Sequence, residues 1–109
     1  MSLDEVFIDE LLAKAVDGGY SALHLEVGRP PLARAYGSFT MAELALYEPA
    51  RAAHIQRMIY DILTDEQINQ FEDDLAFLFP YLAQHVGKFH VRIVRHKGDG
   101  AATFHAVPG

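Results

Sequence analysis

The chain has no cysteine among its 109 residues. A disulfide, a thiolate nucleophile and a cysteine-ligated zinc are thereby excluded, and a reducing compartment is allowed. Cationic side chains are also scarce: 9 Lys and Arg stand against 15 Asp and Glu, for a formal charge of -6. That balance disfavours non-specific binding of nucleic acid by the domain as a whole, while a local basic patch can still attract an anion. Long apolar runs are missing as well. The longest, Leu75 to Ala83, contains Pro80 and falls far short of the roughly 20 residues of a membrane span. The opening Met-Ser-Leu has no basic-then-apolar signal pattern, so a soluble, cytoplasmic protein without direct membrane insertion is expected. No internal repeat, low-complexity segment or linker interrupts the sequence. With 50% hydrophobic residues it can bury a core of its own, and residues 1–109 are read as one domain.

The most informative stretch runs from Gly87 to Pro108. Two alternating runs flank Gly98-Asp99-Gly100, which reads as a β-hairpin. With Gly98-Asp99 as a two-residue loop, Val94 pairs with Thr103 and Arg92 with His105. With Asp99-Gly100 as the loop the partners shift by two, and the faces do not change. One face collects Phe89, Val91, Ile93, Ala102, Phe104 and Ala106, joined near the turn by Arg95 and Lys97. The other collects Lys88, His90, Arg92, His96 and His105, with Val94, Thr103 and Val107 between them. An acidic protein therefore gathers base on one side of one hairpin. Such a stripe is either a solvated sheet face or an anion site in which a rigid sheet aims Lys and Arg at a phosphate.

The rest of the chain alternates helix and strand signals. Asp4 to Asp17 has apolar pairs at helical spacing, with Asp4 as cap and Gly18-Gly19 as stop. Ser21 to Val27 alternates as a strand, Gly28-Arg29-Pro30-Pro31 breaks it, and Leu32 to Ala35 is a second strand. Tyr36-Gly37-Ser38 turns the chain into a third extended piece, giving an antiparallel meander. Pro49 precedes a helix from Ala50 to Leu63. Thr64 to Gln67 forms a capping box for the next helix, which uses Ile68, Phe71 and Leu75. Its acids Asp73 and Asp74 do not suit the negative end of the helix dipole. Ala76 to Ala83 is a strand that Pro80 confines to an edge or a bulge. Phe77, Phe79 and Tyr81 take one side of it and Leu78, Pro80 and Leu82 the other. A strand apolar on both sides is sandwiched or docked, so Phe77, Phe79, Pro80 and Tyr81 are candidates for an interaction surface. The fold expected is α+β: one mostly antiparallel sheet with helices packed mainly on one face.

Three pieces together resemble a known family. They are Ser21-Ala22-Leu23-His24-Leu25 with Gly28-Arg29-Pro30-Pro31, Arg34 and Gly37; Ile59 to Gln67 with Phe71-Glu72; and Gly87 to Arg92 with Phe104 to Pro108. In order and spacing they are similar to the N-terminal domain of PilT/GspE-type ATPases of type IV pili and type II secretion. The resemblance implies a PAS-like domain that precedes a RecA-like ATPase domain and packs on the neighbouring subunit's ATPase domain in a hexamer. It implies Lys88, His90, Arg92 and His105 as contacts in trans to the phosphates of bound nucleotide. ATP and magnesium would belong to the ATPase domain, and the platform proteins of the inner membrane would be partners. The family's Arg-Phe-Arg is Lys88-Phe89-His90 here, and its late arginine is His105. Ala22 and Tyr36 stand where it has aspartate, and Leu78 replaces an acidic start.

Alternatives to the motor reading are a stand-alone interaction module that makes no nucleotide contact and a small-ligand sensor. No metal site is expected. His90 and His96 lie about 20 Å apart along a strand at roughly 3.3 Å per residue, and only some registers bring His105 near either. His24 reads as a hydrogen-bonded structural histidine. No serine, histidine and acid have catalytic spacing, and the chain contains no G-x-x-x-x-G-K-[ST] phosphate loop. The purified chain is therefore expected to hydrolyse no ATP. Phosphate release above a buffer control, unaffected by Lys88→Ala, would demand an unrecognised site.

Overall fold

The computed structural model describes residues 2–44, 47–73, 76–96 and 99–108. Nine elements follow one another: helix α1 (Ile8–Asp17), strands β1 (Ala22–Glu26), β2 (Leu32–Arg34) and β3 (Ala42–Glu43), helices α2 (Ala52–Tyr60) and α3 (Asp65–Asp73), and strands β4 (Ala76–Ala83), β5 (Gly87–His96) and β6 (Asp99–Ala106). The six strands form one antiparallel sheet in the order β3-β2-β1-β6-β5-β4. The α+β class expected from the sequence is the class observed. Two meanders meet where β6 pairs with β1, Phe104 opposite Leu23. Pro80 is on β4, an edge strand, the place in a sheet where proline is tolerated.

The helices pack on one face of the sheet. That face carries Leu23, Leu25, Phe79, Phe89, Val91, Ile93 and Phe104, all buried against Leu11, Leu12, Ile55, Met58 and Ile59. Phe71 of α3 meets Phe77 and Tyr60 at ring distances of 6.4 and 6.3 Å. The capping box forms as read: the Gln67 N–H donates to Thr64 Oγ1 at 3.1 Å and the Thr64 N–H to Gln67 Oε1 at 3.0 Å. The C-terminal end of α3 has no basic residue in its last turn. Arg95 supplies one from β5, donating to the carbonyls of Phe71 and Glu72 with its guanidinium 4.7 Å from the Phe71 ring. Arg95 thus occupies the apolar side of the hairpin without leaving its charge stranded. Asp74, Leu75, Lys97 and Gly98 lie outside the described residues.

Three expectations need correction. First, the hairpin register differs from both alternatives: Arg92 opposes Thr103, His90 opposes His105 and His96 opposes Asp99. Faces survive because the shift is by two. Second, α2 begins at Ala52 rather than Ala50, with Arg51 as its N-cap residue. Third, α1 begins at Ile8, because Asp4 is engaged elsewhere. Its Oδ1 lies 2.6 Å from His54 Nε2 and 2.9 Å from Arg51. His54 is buried, and its Nδ1 accepts the Arg51 backbone N–H at 3.1 Å, so Nε2 carries the proton given to Asp4. Arg57 donates to the carbonyls of Leu3 and Val6 at 2.9 and 2.8 Å. Residues 3–6 are therefore strapped across α2 with Leu3 wholly buried.

The hydrogen bond from His54, aided by Ser2 and the Arg51 charge, holds the Asp4 carboxyl below its ordinary value of 3.8. A carboxylate lowered in the fold contributes stability above its unfolded value and loses it as pH falls through the folded one. Asp4→Asn should accordingly reduce the loss of stability below about pH 4. Arg57→Ala should cost about 2 kcal/mol, because a charged donor to two carbonyls is lost. Urea unfolding at pH 7 and pH 3 checks both, and an unchanged midpoint for Arg57→Ala would contradict the strap.

Candidate functional site: the uncovered face of the sheet

Alternation along β4, β5, β6, β1 and β2 sends one set of side chains away from the helices. Cross-strand register then lines them up. Pro80, His90, His105, Ala22 and Arg34 form one row across five strands. Leu78, Arg92, Thr103, His24 and Leu32 form the next, and Leu82 opposes Lys88. Strands are about 4.8 Å apart, so His90 to Arg34 spans about 14 Å across three gaps. Lys88, His90, Arg92 and His105, separated in sequence, are thus brought together on one exposed surface. Val107 donates its N–H to the Lys88 carbonyl at 2.9 Å, which extends the β5–β6 pairing past the end of β6.

Arg34 joins this set through the β2–β1–β6 order. Hairpin reasoning alone misses it, since the pairing of β1 with β6 is non-local. His24 is not a free ligand: its Nδ1 lies 3.0 Å from Thr103 Oγ1 and its Nε2 3.8 Å from Glu26. The side chains of Lys88, Arg92 and Arg34 have no hydrogen-bond or ion-pair partner among the described residues. Partial desolvation, then the charge of Arg34, then that of His90 hold the His105 pKa below the usual histidine value of 6.5. At neutral pH His105 is therefore mostly a neutral imidazole that donates one hydrogen bond, unlike an arginine. The side chain of His96 lies outside those described. Among the described residues no group of three or more His, Asp or Glu could hold a metal ion.

An open groove of about 410 Å³ runs along the β4 margin of this face, lined by Leu78, Pro80, His90, Arg92 and His105. Of the four side chains considered for an interaction surface, only Pro80 is exposed. Phe77 and Tyr81 are half-buried on the helix side, and Tyr81 donates a hydrogen bond to Asp9 of α1. Phe79 is a core residue at 6% exposure, whereas Leu78 and Leu82 are exposed at 72% and 61%. The parity of β4 alone could have separated the two sets, once the helix side was known. Phe79→Lys should unfold or destabilise the chain by about 3 kcal/mol or more, since an aromatic leaves the core and a charge enters it. Leu78→Lys should stay within about 0.5 kcal/mol. Thermal denaturation of the pair checks the assignment of faces, and equal losses would refute it.

The chain is similar to known motor proteins. It is 33% identical over 101 residues to the type IV pilus retraction ATPase PilT of Pseudomonas aeruginosa, an alignment covering 93% of this chain and 28% of PilT. The crystal structure of the pilus retraction motor PilT with bound ADP matches with a TM-score of 0.86 at 24% identity, over 96% of this chain and 30% of that one. The ATPase DotB of Legionella pneumophila matches with a TM-score of 0.71 at 17% identity, over 93% and 28%. No protein-family model matches the chain. The chain spans under a third of the length of these relatives. Homology to PilT together with the shared fold is consistent with an N-terminal domain of the PilT/GspE-type ATPases. No helix among the described residues is long and apolar enough to cross a membrane.

Proposed function

We propose that the chain is an assembly and regulatory domain of a hexameric type IV pilus or type II secretion motor. It packs on a neighbouring subunit's ATPase domain and offers Lys88, His90, Arg92 and His105 to the phosphates of the nucleotide held there. The observation that carries this reading is the basic row on the uncovered sheet face, in a chain whose net charge is -6. Similarity to PilT supports the motor context. The role of the row is positioning and charge neutralisation, and bond-making belongs to the domain that binds ATP and magnesium. The site of action is the cytoplasm, beside the inner-membrane platform proteins that such a motor drives.

A second reading is an interaction module of the same machinery without nucleotide contact. The exposed Leu78 and Leu82, and imidazoles in place of two arginines, favour it. The two readings differ in pH dependence. A phosphate favours the protonated imidazole, so its binding takes up a proton at His105. His105 starts with a pKa below 6.5, hence neutral at pH 8. Affinity in a hexameric motor carrying this domain should rise as pH falls from 8 to 6. Arginine at positions 90 and 105 should flatten that rise, because arginine stays charged throughout. Lys88→Ala should weaken binding at every pH by several-fold, as loss of one charge-assisted contact requires. Titration of a fluorescent ATP analogue at both pH values reads all three. A flat wild-type profile with no loss in Lys88→Ala supports the module reading and ends the phosphate contact.

A further inference from the structure

β4 forms one margin of the sheet, and its outer edge carries no strand among the described residues. Which backbone groups lie on that edge follows from the ladder. The Val107 N–H donates to the Lys88 carbonyl, so Lys88 turns its backbone toward β6. Alternation then turns Phe89, Val91 and Ile93 toward β4, where they face Tyr81, Phe79 and Phe77. The N–H and carbonyl groups of Leu78 and Leu82, and the carbonyl of Pro80, are left pointing outward. The side chains of those three residues are exposed on the sheet face, Leu78 and Leu82 at 72% and 61%. The opposite margin, β3, offers an edge of only two residues, against eight in β4. Grooves flank β4 on both faces. On the sheet face the groove of about 410 Å³ runs along Leu78 and Pro80. On the helix side a groove of about 380 Å³ lies against Tyr81 and is lined by Phe7, Asp9, Asp61 and Ile62.

Open backbone groups on an edge are matched by another extended strand, and pockets on its two sides select alternate side chains. Antiparallel addition continues the order of every strand pair in this sheet. Incoming residues opposite Leu78, Pro80 and Leu82 then exchange backbone hydrogen bonds and lay their side chains on those apolar ones. Their chain neighbours project to the helix side, where Asp9 and Asp61 share a groove with Phe7 and Ile62. Asp9 accepts from Tyr81 through Oδ1, and Asp61 Oδ2 lies 3.6 Å from Arg57, so each carboxylate keeps a second oxygen for a guest. A long basic side chain rests its stem on the two apolar residues and its charge on the carboxylates. Pro80 decides between a second copy and a partner. Two-fold pairing of β4 with itself brings in two prolines and loses two ladder bonds, whereas a proline-free strand loses one. The charge of -6 on each copy disfavours self-pairing further. We propose that the β4 edge takes an antiparallel strand from a partner protein, its residues alternating apolar and basic. The proposal needs neither the nucleotide contact nor the motor context.

The probe is an end-blocked peptide, Val-Lys-Val-Lys-Val-Lys-Val, titrated by NMR into the isotope-labelled purified chain. Saturable shifts should centre on residues 76–83. The Leu78 and Leu82 amides, fast to exchange in the free chain, should become protected from hydrogen exchange in the complex. Methylating the valine amide nitrogens of the peptide should abolish binding, whereas methylating those of lysine, which point away from β4, should leave it unchanged. Leu82→Pro removes one outward donor and should weaken binding by about 2- to 12-fold, the range for one hydrogen bond. Asp61→Asn should weaken it by about 2- to 5-fold, as an exposed ion pair does. Both positions are exposed, and an unaltered circular dichroism spectrum confirms folding of each variant. A peptide with glutamate in place of lysine should bind far more weakly than the basic one. Absence of saturable binding, equal binding of the two methylated peptides, or undiminished binding of the glutamate peptide overturns the proposal. So does a free chain that dimerises with its Leu78 and Leu82 amides already protected. Because the contact in trans is read in the hexamer and this edge in the isolated chain, either can fail alone.

Discussion

Antiparallel pairing of β6 on both its edges is the constraint on which the rest of the structure depends. β5 on one side and β1 on the other lock β6 in register over most of its length. A slip by one residue would turn Phe104 and Ala102 to solvent and His105 and Thr103 to the core. Phe104 is wholly buried, so that slip would cost about 3–5 kcal/mol for the one ring, a large fraction of a small domain's stability. Burial on the helix side therefore sets which residues appear on the other side. The basic row is a by-product of where Phe89, Val91, Ile93, Ala102 and Phe104 must go.

That coupling explains what the sequence made legible. Period-two alternation survives a shift of two residues in register, so the two faces of the hairpin were readable although neither of the two registers considered is the one observed. Alternation within β4 was equally visible, and so was the edge role of Pro80. What it could not say was which side of β4 met the helices, and Phe79 accordingly passed for a surface residue. Helix starts were read from local caps, and Asp4 looked like one. Its partner His54 is fifty residues away, and no local rule reveals such a contact. The same holds for Arg34. Its neighbourhood with His105 follows from β1 lying between β2 and β6, a pairing made only by the folded sheet.

Register also joins two departures that look independent in the sequence. Ala22 stands where the resembling family has aspartate, and His105 where it has arginine. In the sheet, Ala22 and His105 are directly opposite, and Arg34 is opposite Ala22 on the other side. An aspartate at 22 would lie between two cations and neutralise part of each. Removing the aspartate while keeping arginine at 105 would leave two guanidinium groups facing one another across a methyl group. With histidine at 105 the lost acid is matched by a lost obligatory charge, because partial desolvation and then the Arg34 charge keep that imidazole largely neutral. The pair of changes preserves local charge balance and frees Arg34 of a carboxylate partner.

Freedom of that kind is available only on this face. On the helix side each buried aromatic or leucine is worth about 2–5 kcal/mol, and its replacement is felt throughout a close-packed core. On the uncovered face most substitutions shift stability by about 0.5 kcal/mol or less. Folding therefore does not dictate arginine over histidine at positions 90 and 105, nor tyrosine over aspartate at 36. An unpaired Arg34 and the rings of Tyr36 and Phe39, held almost entirely in water, gain the fold nothing.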